Sequence, residues 1–251
     1  MLKCKSPLTL SFTPLFVLML GAFTLSAPAH SKPSVSSSAH QRAELLRKYP
    51  GLADSQLAQR AENPKILCPF HRLIERAGIY DSHRSKGSDE NSLFISIQKI
   101  AQIAQDFGCS LLNCGGAATA ASTGQLLTHS TEAGYVNLLQ LHRAVGAAHD
   151  CGFTFALGGS AVSEKTRQNT LAILKTFADE KGRVGLEDLN MLKTLRCKIQ
   201  GATLTIPDQI EVDLIYTFLG GSERGYVDYD DVVRLFYAEL PRTLGSPGLA
   251  F

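Results

Sequence analysis

The residues best placed to do chemistry head the stretch "CPFHRLIERAGIY", where Cys68 directly precedes Pro69. Proline suits the first helical position, because the N–H it lacks has no intrahelical partner there. Cys68 then faces the unpaired backbone N–H groups of the first turn. Those donors, with the positive end of the helix dipole, stabilise a thiolate, which is a nucleophile or a metal ligand. Taken alone, the motif fits a packed or disulfide-bonded cysteine better than a reactive one, since cysteine is so often simply buried. His71 reads as a helix-surface residue, and none of the seven histidines sits at metal-ligand spacing with another His or Glu on one helix face.

The start of the chain reads as an address: Lys3 and Lys5, the apolar run "LFVLMLGAFTL", then Ala27-Pro28-Ala29 as a small-residue cleavage site. Residues 1–29 are expected to be a signal peptide cleaved after Ala29, leaving a secreted or periplasmic protein with no stable membrane anchor. Removing the two lysines takes the formal charge of +2 to zero, which argues against a nucleic-acid partner. It also removes Cys4, leaving five of the six cysteines: Cys68, Cys109, Cys114, Cys151 and Cys197. In an oxidising compartment cysteines pair, and an odd count strands one. The leftover is a buried thiol, an intermolecular bridge or a metal ligand. Cys109 and Cys114 are near enough to close a small loop, but spacing does not fix connectivity.

The elements that must position these residues are nearly all helical. Residues 30–54 read as a Ser-rich flexible leader, "HSKPSVSSS", followed by a first short helix. "NSLFISIQKIAQIAQDFG" places Leu93, Phe94, Ile97, Ile100, Ile103, Ala104 and Phe107 at helical spacing, with Gly108 as a stop. "TLAILKTFADEKG", "DQIEVDLIYTFLGG" and "DYDDVVRLFYAEL" repeat the pattern, while "ATLTI" alternates like a short strand. The expectation is one all-α domain of roughly eight to ten helices over residues 55–251.

Two loops echo one another, "TFADEKGRVGLEDLNML" and "TFLGGSERGYVDYDDVV", in a pattern that resembles a calcium loop. Aligning Gly182 or Gly225 to the turn position puts Phe177 or Gly220 where the first carboxylate ligand belongs, so no calcium site is expected. Glu187, Asp188, Asp230 and Asp231 read instead as acids complementing helix N-termini. The clusters "NCGGAATAAS" and "LGGSAVS" lack the lysine and strand of a phosphate loop and read as tight turns or close packing. Neither fits Gly-x-Ser-x-Gly.

Three separated segments resemble one family. "CPFHRLIERAGIY" is similar to the proximal motif of the heme-thiolate peroxidases related to fungal chloroperoxidase and the peroxygenases, in which Cys-Pro opens a helix running to a glycine, here Gly78. "VDYDDVVRLFYAELPRTLG" is similar to the end of that domain, and "IEVDLIYTFL" resembles the segment bearing the distal glutamate, which falls on Glu211. The resemblance spans roughly residues 55–250. Arg72 and Arg76-Ala77 stand where family members usually carry Asn and Asn-His. Ala156, Leu157 and Gly158 stand where a Glu-His-Asp normally lies.

The resemblance implies a chloroperoxidase-like fold and a heme b cofactor. Cys68 would be the axial iron ligand and Pro69 would open its helix. Leu214 would line the pocket one turn from Glu211, the acid-base residue on the opposite face. It implies hydrogen peroxide and a small organic molecule as substrates. The missing Glu-His-Asp argues against halogenation and a manganese site. A different class of protein, a non-catalytic heme-binding module or a disulfide-stabilised helical interaction protein, is the alternative expectation.

Overall fold

Apolar residues at three-to-four spacing, cut by glycines that leave the helical region, set most of the architecture. A computed structural model describes residues 35–149 and 151–245, all within one compact unit. The chain is mostly helical, with only short antiparallel strands. No helix among the described residues is long and apolar enough to cross a membrane. Residues 1–29, read as a signal peptide, lie outside the described residues. The leader is shorter than its serines imply: helix α1 spans Val35–Lys48 and takes in residues of the Ser-rich run.

The helices fall into two groups built alike. In the first, α2 (Asp54–Leu57) and α3 (Pro69–Arg76) precede strand β1 (Phe94–Ser96) and α4 (Ile97–Asp106). A π-type turn over Leu111–Gly115 then leads into α5 (Gly116–Leu127), strand β2 (Tyr135–Asn137) and a 3-10 segment over Leu138–Arg143. Strands β1 and β2 pair antiparallel with Ile95 opposite Val136. The second group runs α6 (Glu164–Phe177), β3 (Arg183–Val184), α7 (Leu186–Gln200), α8 (Ile206–Phe218), α9 (Gly221–Arg224), β4 (Val227–Asp228) and α10 (Tyr229–Phe236). Here β3 and β4 pair antiparallel, with Val184 opposite Val227. Each group is thus two helix–strand–helix units joined through their strands, and each encloses its own apolar core.

Three sequence expectations change. The helix expected from Leu93 begins at Ile97, because Phe94–Ser96 pairs with β2 and Ser96 accepts the Lys99 N–H as N-cap. "ATLTI" is no strand: Gly201 ends α7 in a left-handed conformation and Thr205 caps α8, leaving only a short linker between them. The two echoing loops do enter helices, α7 and α10, as expected, and in addition each carries a short strand, β3 and β4, which pair with each other. Of the four acids, Asp188 does accept the Gly185 N–H at the start of α7. Asp231 instead turns to the C-terminal segment, accepting the Arg242 and Thr243 N–H groups at 2.7 and 3.0 Å.

The two groups meet along α3. Phe70 packs edge-on against Phe107 of the first group and Phe218 of the second, with ring centroids 5.4 Å apart in each case. Arg72, wholly buried, donates to Phe236 O at the end of α10, and Arg76 donates to Tyr237 O. Beyond α10 the chain returns to the first core, where Ala238, Leu240 and Leu244 are buried.

Candidate functional site around Cys68 and Glu211

Cys68 is the N-cap of α3 with extended backbone angles, and Pro69 occupies the first helical position, as the sequence predicts. The helix ends before Gly78, which takes a φ of 74°. A Cβ at Gly78 would lie 2.3 Å from Arg60 Nη1, so the position suits glycine on both counts. Disulfides join Cys109 to Cys114 and Cys151 to Cys197, leaving Cys68 as the free thiol among the described cysteines. Burial pushes that thiol above its ordinary pKa. The backbone N–H groups of His71 and Phe70 act the other way, as does the Arg72 charge, while the Glu211 charge raises it further. Cys68 and Glu211, far apart in sequence and on different helix groups, therefore face each other electrostatically.

His71 is not a surface residue. It is half-buried, its Nδ1 lies 2.8 Å from the Tyr80 hydroxyl, and burial holds its pKa down at about 4. Arg72 and Arg76, which replace the residues usual in the resembling family, tie α3 in place. Arg72 Nη1 donates to Ile66 O and Leu67 O, fixing the segment that leads into Cys68. Its guanidinium also lies 3.4 Å from Glu62. Ala156–Gly158 form a turn, with Gly158 at a φ of 62°, and bring no polar side chain to replace the missing Glu-His-Asp.

Glu211 lies on the face of α8 that meets α7. Its Oε2 is 2.5 Å from Lys193 Nζ. Lys193 is 1% exposed, and its ammonium also contacts Asp208 Oδ1 at 3.0 Å and Cys151 O at 2.7 Å. The ring of Phe153 lies beneath the charge, 4.9 Å from its centroid. Asp208, fully buried, accepts the Thr205 N–H and hydroxyl on its other oxygen, at 2.9 and 2.6 Å. Burial alone would raise the Asp208 pKa, but the Thr205 hydrogen bonds and Lys193 outweigh it and bring the carboxyl below its usual value. His149 Nδ1 stands 3.7 Å from Glu211 Oε2 and 3.9 Å from Asp208 Oδ1. Of the histidines outside the proximal motif, His149 is thus the one brought to Glu211.

Leu214, the pocket residue implied by the family resemblance, is half-buried one turn beyond Glu211. Lys193 and Asp208 escaped sequence reading, although a signal existed: Lys193 and Arg196 share the buried spacing of Leu189, Leu192 and Cys197 on α7. The grouping of Cys151, Cys197 and Asp208 offers no thiolates to a metal, because both sulfurs are in the disulfide. No family model, curated protein or solved structure matches this chain.

Proposed function

We propose that this chain is an exported heme-thiolate protein of the chloroperoxidase and peroxygenase type, using hydrogen peroxide to oxidise small organic molecules. The observation that carries the reading is the pairing of Cys68 with Glu211. One unpaired thiol sits at a helix N-terminus, where the first-turn backbone N–H groups and a carboxylate from the other helix group act on its charge.

A heme would draw on residues of both helix groups. Cys68 would hold the iron, Pro69 fixes the helix start behind it, and Phe70, Leu214 and Phe218 offer partly buried apolar surface for a flat hydrophobic group. When bound, a thiolate-ligated heme supplies peroxide O–O cleavage assisted by electron donation from sulfur. The chain does the rest. The His71 and Phe70 N–H groups at the head of α3 temper the sulfur charge. Glu211 takes a proton from hydrogen peroxide on a carboxylate oxygen and returns it to the departing oxygen, which is general acid-base work. Lys193 contacts both Glu211 and Asp208, so it holds the Glu211 carboxylate in place while Asp208 balances its charge.

The disulfides favour an oxidising compartment and, with it, the secreted or periplasmic reading. A purely structural reading also has an observation behind it, since the Lys193 ion pairs would stabilise the helix packing with no heme bound.

The deciding experiment is the optical spectrum of the purified protein after heme supply, reduced under carbon monoxide, beside Cys68→Ala. A strongly red-shifted Soret band that disappears in the variant is expected. Absence of heme uptake, or an unchanged band without Cys68, would overturn the proposal.

A further inference from the structure

We infer that Lys193 is the positioning residue of Glu211: its buried ammonium seats one oxygen of the carboxylate and so orients Glu211, while Asp208 serves as the fixed counter-ion. The functional half of this inference rests on the peroxidase reading above, while its geometric half does not.

A lysine buried to 1% exposure is costly unless every donor is used, and an ammonium has three. Lys193 uses them on Cys151 O, Asp208 Oδ1 and Glu211 Oε2, at 2.7, 3.0 and 2.5 Å. The two carboxylates stand three residues apart on α8 and so share the face turned to α7. They are not equivalent. Asp208 is fully buried and its second oxygen already accepts two hydrogen bonds from Thr205, so it is built in as the permanent counter-ion. The Glu211 side chain keeps 11% of its surface, and its charge reaches Cys68. A glutamate has three side-chain torsions to restrain, and the ammonium contact on Oε2 removes much of that freedom.

The ammonium is itself anchored covalently at one remove. Cys151, whose carbonyl it binds, is disulfide-bonded to Cys197, one turn beyond Lys193 on α7. The seat of Glu211 is therefore closed on one side by α7 and on the other by a chain segment cross-linked to the same helix.

Two measurements test this. In the heme-free protein, urea midpoints of Lys193→Met, Glu211→Gln and the double variant form a thermodynamic cycle. Strong coupling is expected: Glu211→Gln should shift the midpoint of the wild type and have little effect once Lys193 is Met. Additive shifts would overturn the tether. In the heme-loaded protein, Lys193→Met should keep the Soret position that reports Cys68 while kcat for peroxide-driven oxidation falls at least about 10-fold with KM for the organic substrate unchanged. Lys193→Arg, which keeps the charge, should recover part of that loss and also serves if the Met variant folds poorly. Wild-type kcat in Lys193→Met would overturn the positioning role. Failure of the wild type to take up heme would instead reject the peroxidase reading, and the urea cycle would still decide the tether.

Discussion

Glu211 is held by a partner that is itself satisfied elsewhere, since the Lys193 ammonium also meets Asp208 and the Cys151 carbonyl. Replacing Glu211 with glutamine keeps the shape and removes the proton acceptor. Heme uptake by Glu211→Gln should match the wild type while peroxide turnover falls on the order of 100-fold or more, checked by steady-state peroxide consumption. His71 offers a test that needs no cofactor. Burial holds its pKa near 4, below the ordinary histidine value of 6.5, so the folded state resists the proton that the unfolded state accepts. Its contribution to stability is complete above about pH 6.5 and is lost as pH falls toward 4, amounting to on the order of 2–3 kcal/mol. Urea midpoints taken at pH 7 and pH 5 should therefore drop more in the wild type than in His71→Gln. Glu75 and Asp231, whose pKa values burial raises, act in the opposite sense and are common to both proteins.

Among the elements, α3 shows how an apparent departure from a motif becomes structure. Arg72 donates to two carbonyls ahead of Cys68 and to Phe236 O, so Arg72→Met would strand buried acceptors and the Glu62 charge together. A loss of about 3–5 kcal/mol in unfolding free energy is expected from urea denaturation. The Cys151–Cys197 bridge closes a loop of 46 residues in sequence separation. Replacing both cysteines with serine should cost about 2–4 kcal/mol by the same assay. Helices α4, α6, α8 and α10 were legible because their apolar periodicity and glycine stops agree. Strand β1 was not, since Leu93 and Ile95 face one core while Phe94 falls at helical spacing with Ile97, and only pairing with β2 decides between the two periods. The proximal Cys-Pro start and its glycine stop were legible for the same local reason. Lys193 was hidden because a lysine reads as solvent-facing until its carboxylate partners are seen one helix away.

At the scale of the molecule, two similar helix–strand–helix pairs are held together by a seam of arginines and phenylalanines, and by a C-terminal segment that returns to the first core. Ala238, Leu240 and Leu244 are buried there, at 0%, 0% and 2% exposure. A chain truncated after Tyr237 should lose several kcal/mol of burial free energy and show a lower, broader thermal transition by circular dichroism. No pattern in the sequence announced this return, because a short irregular segment carries no periodicity.

The disulfide pattern has a consequence for how the chain is made. Beyond Cys4 the cysteines follow in the order Cys68, Cys109, Cys114, Cys151 and Cys197. Oxidation in that order would join Cys68 to Cys109 and Cys114 to Cys151, and neither link exists in the folded protein. The native bridges are consecutive pairs only when Cys68 is skipped. Its place at the head of α3 leaves the odd thiol outside both native bridges, so a mispaired Cys68 would also cost the chain the start of that helix.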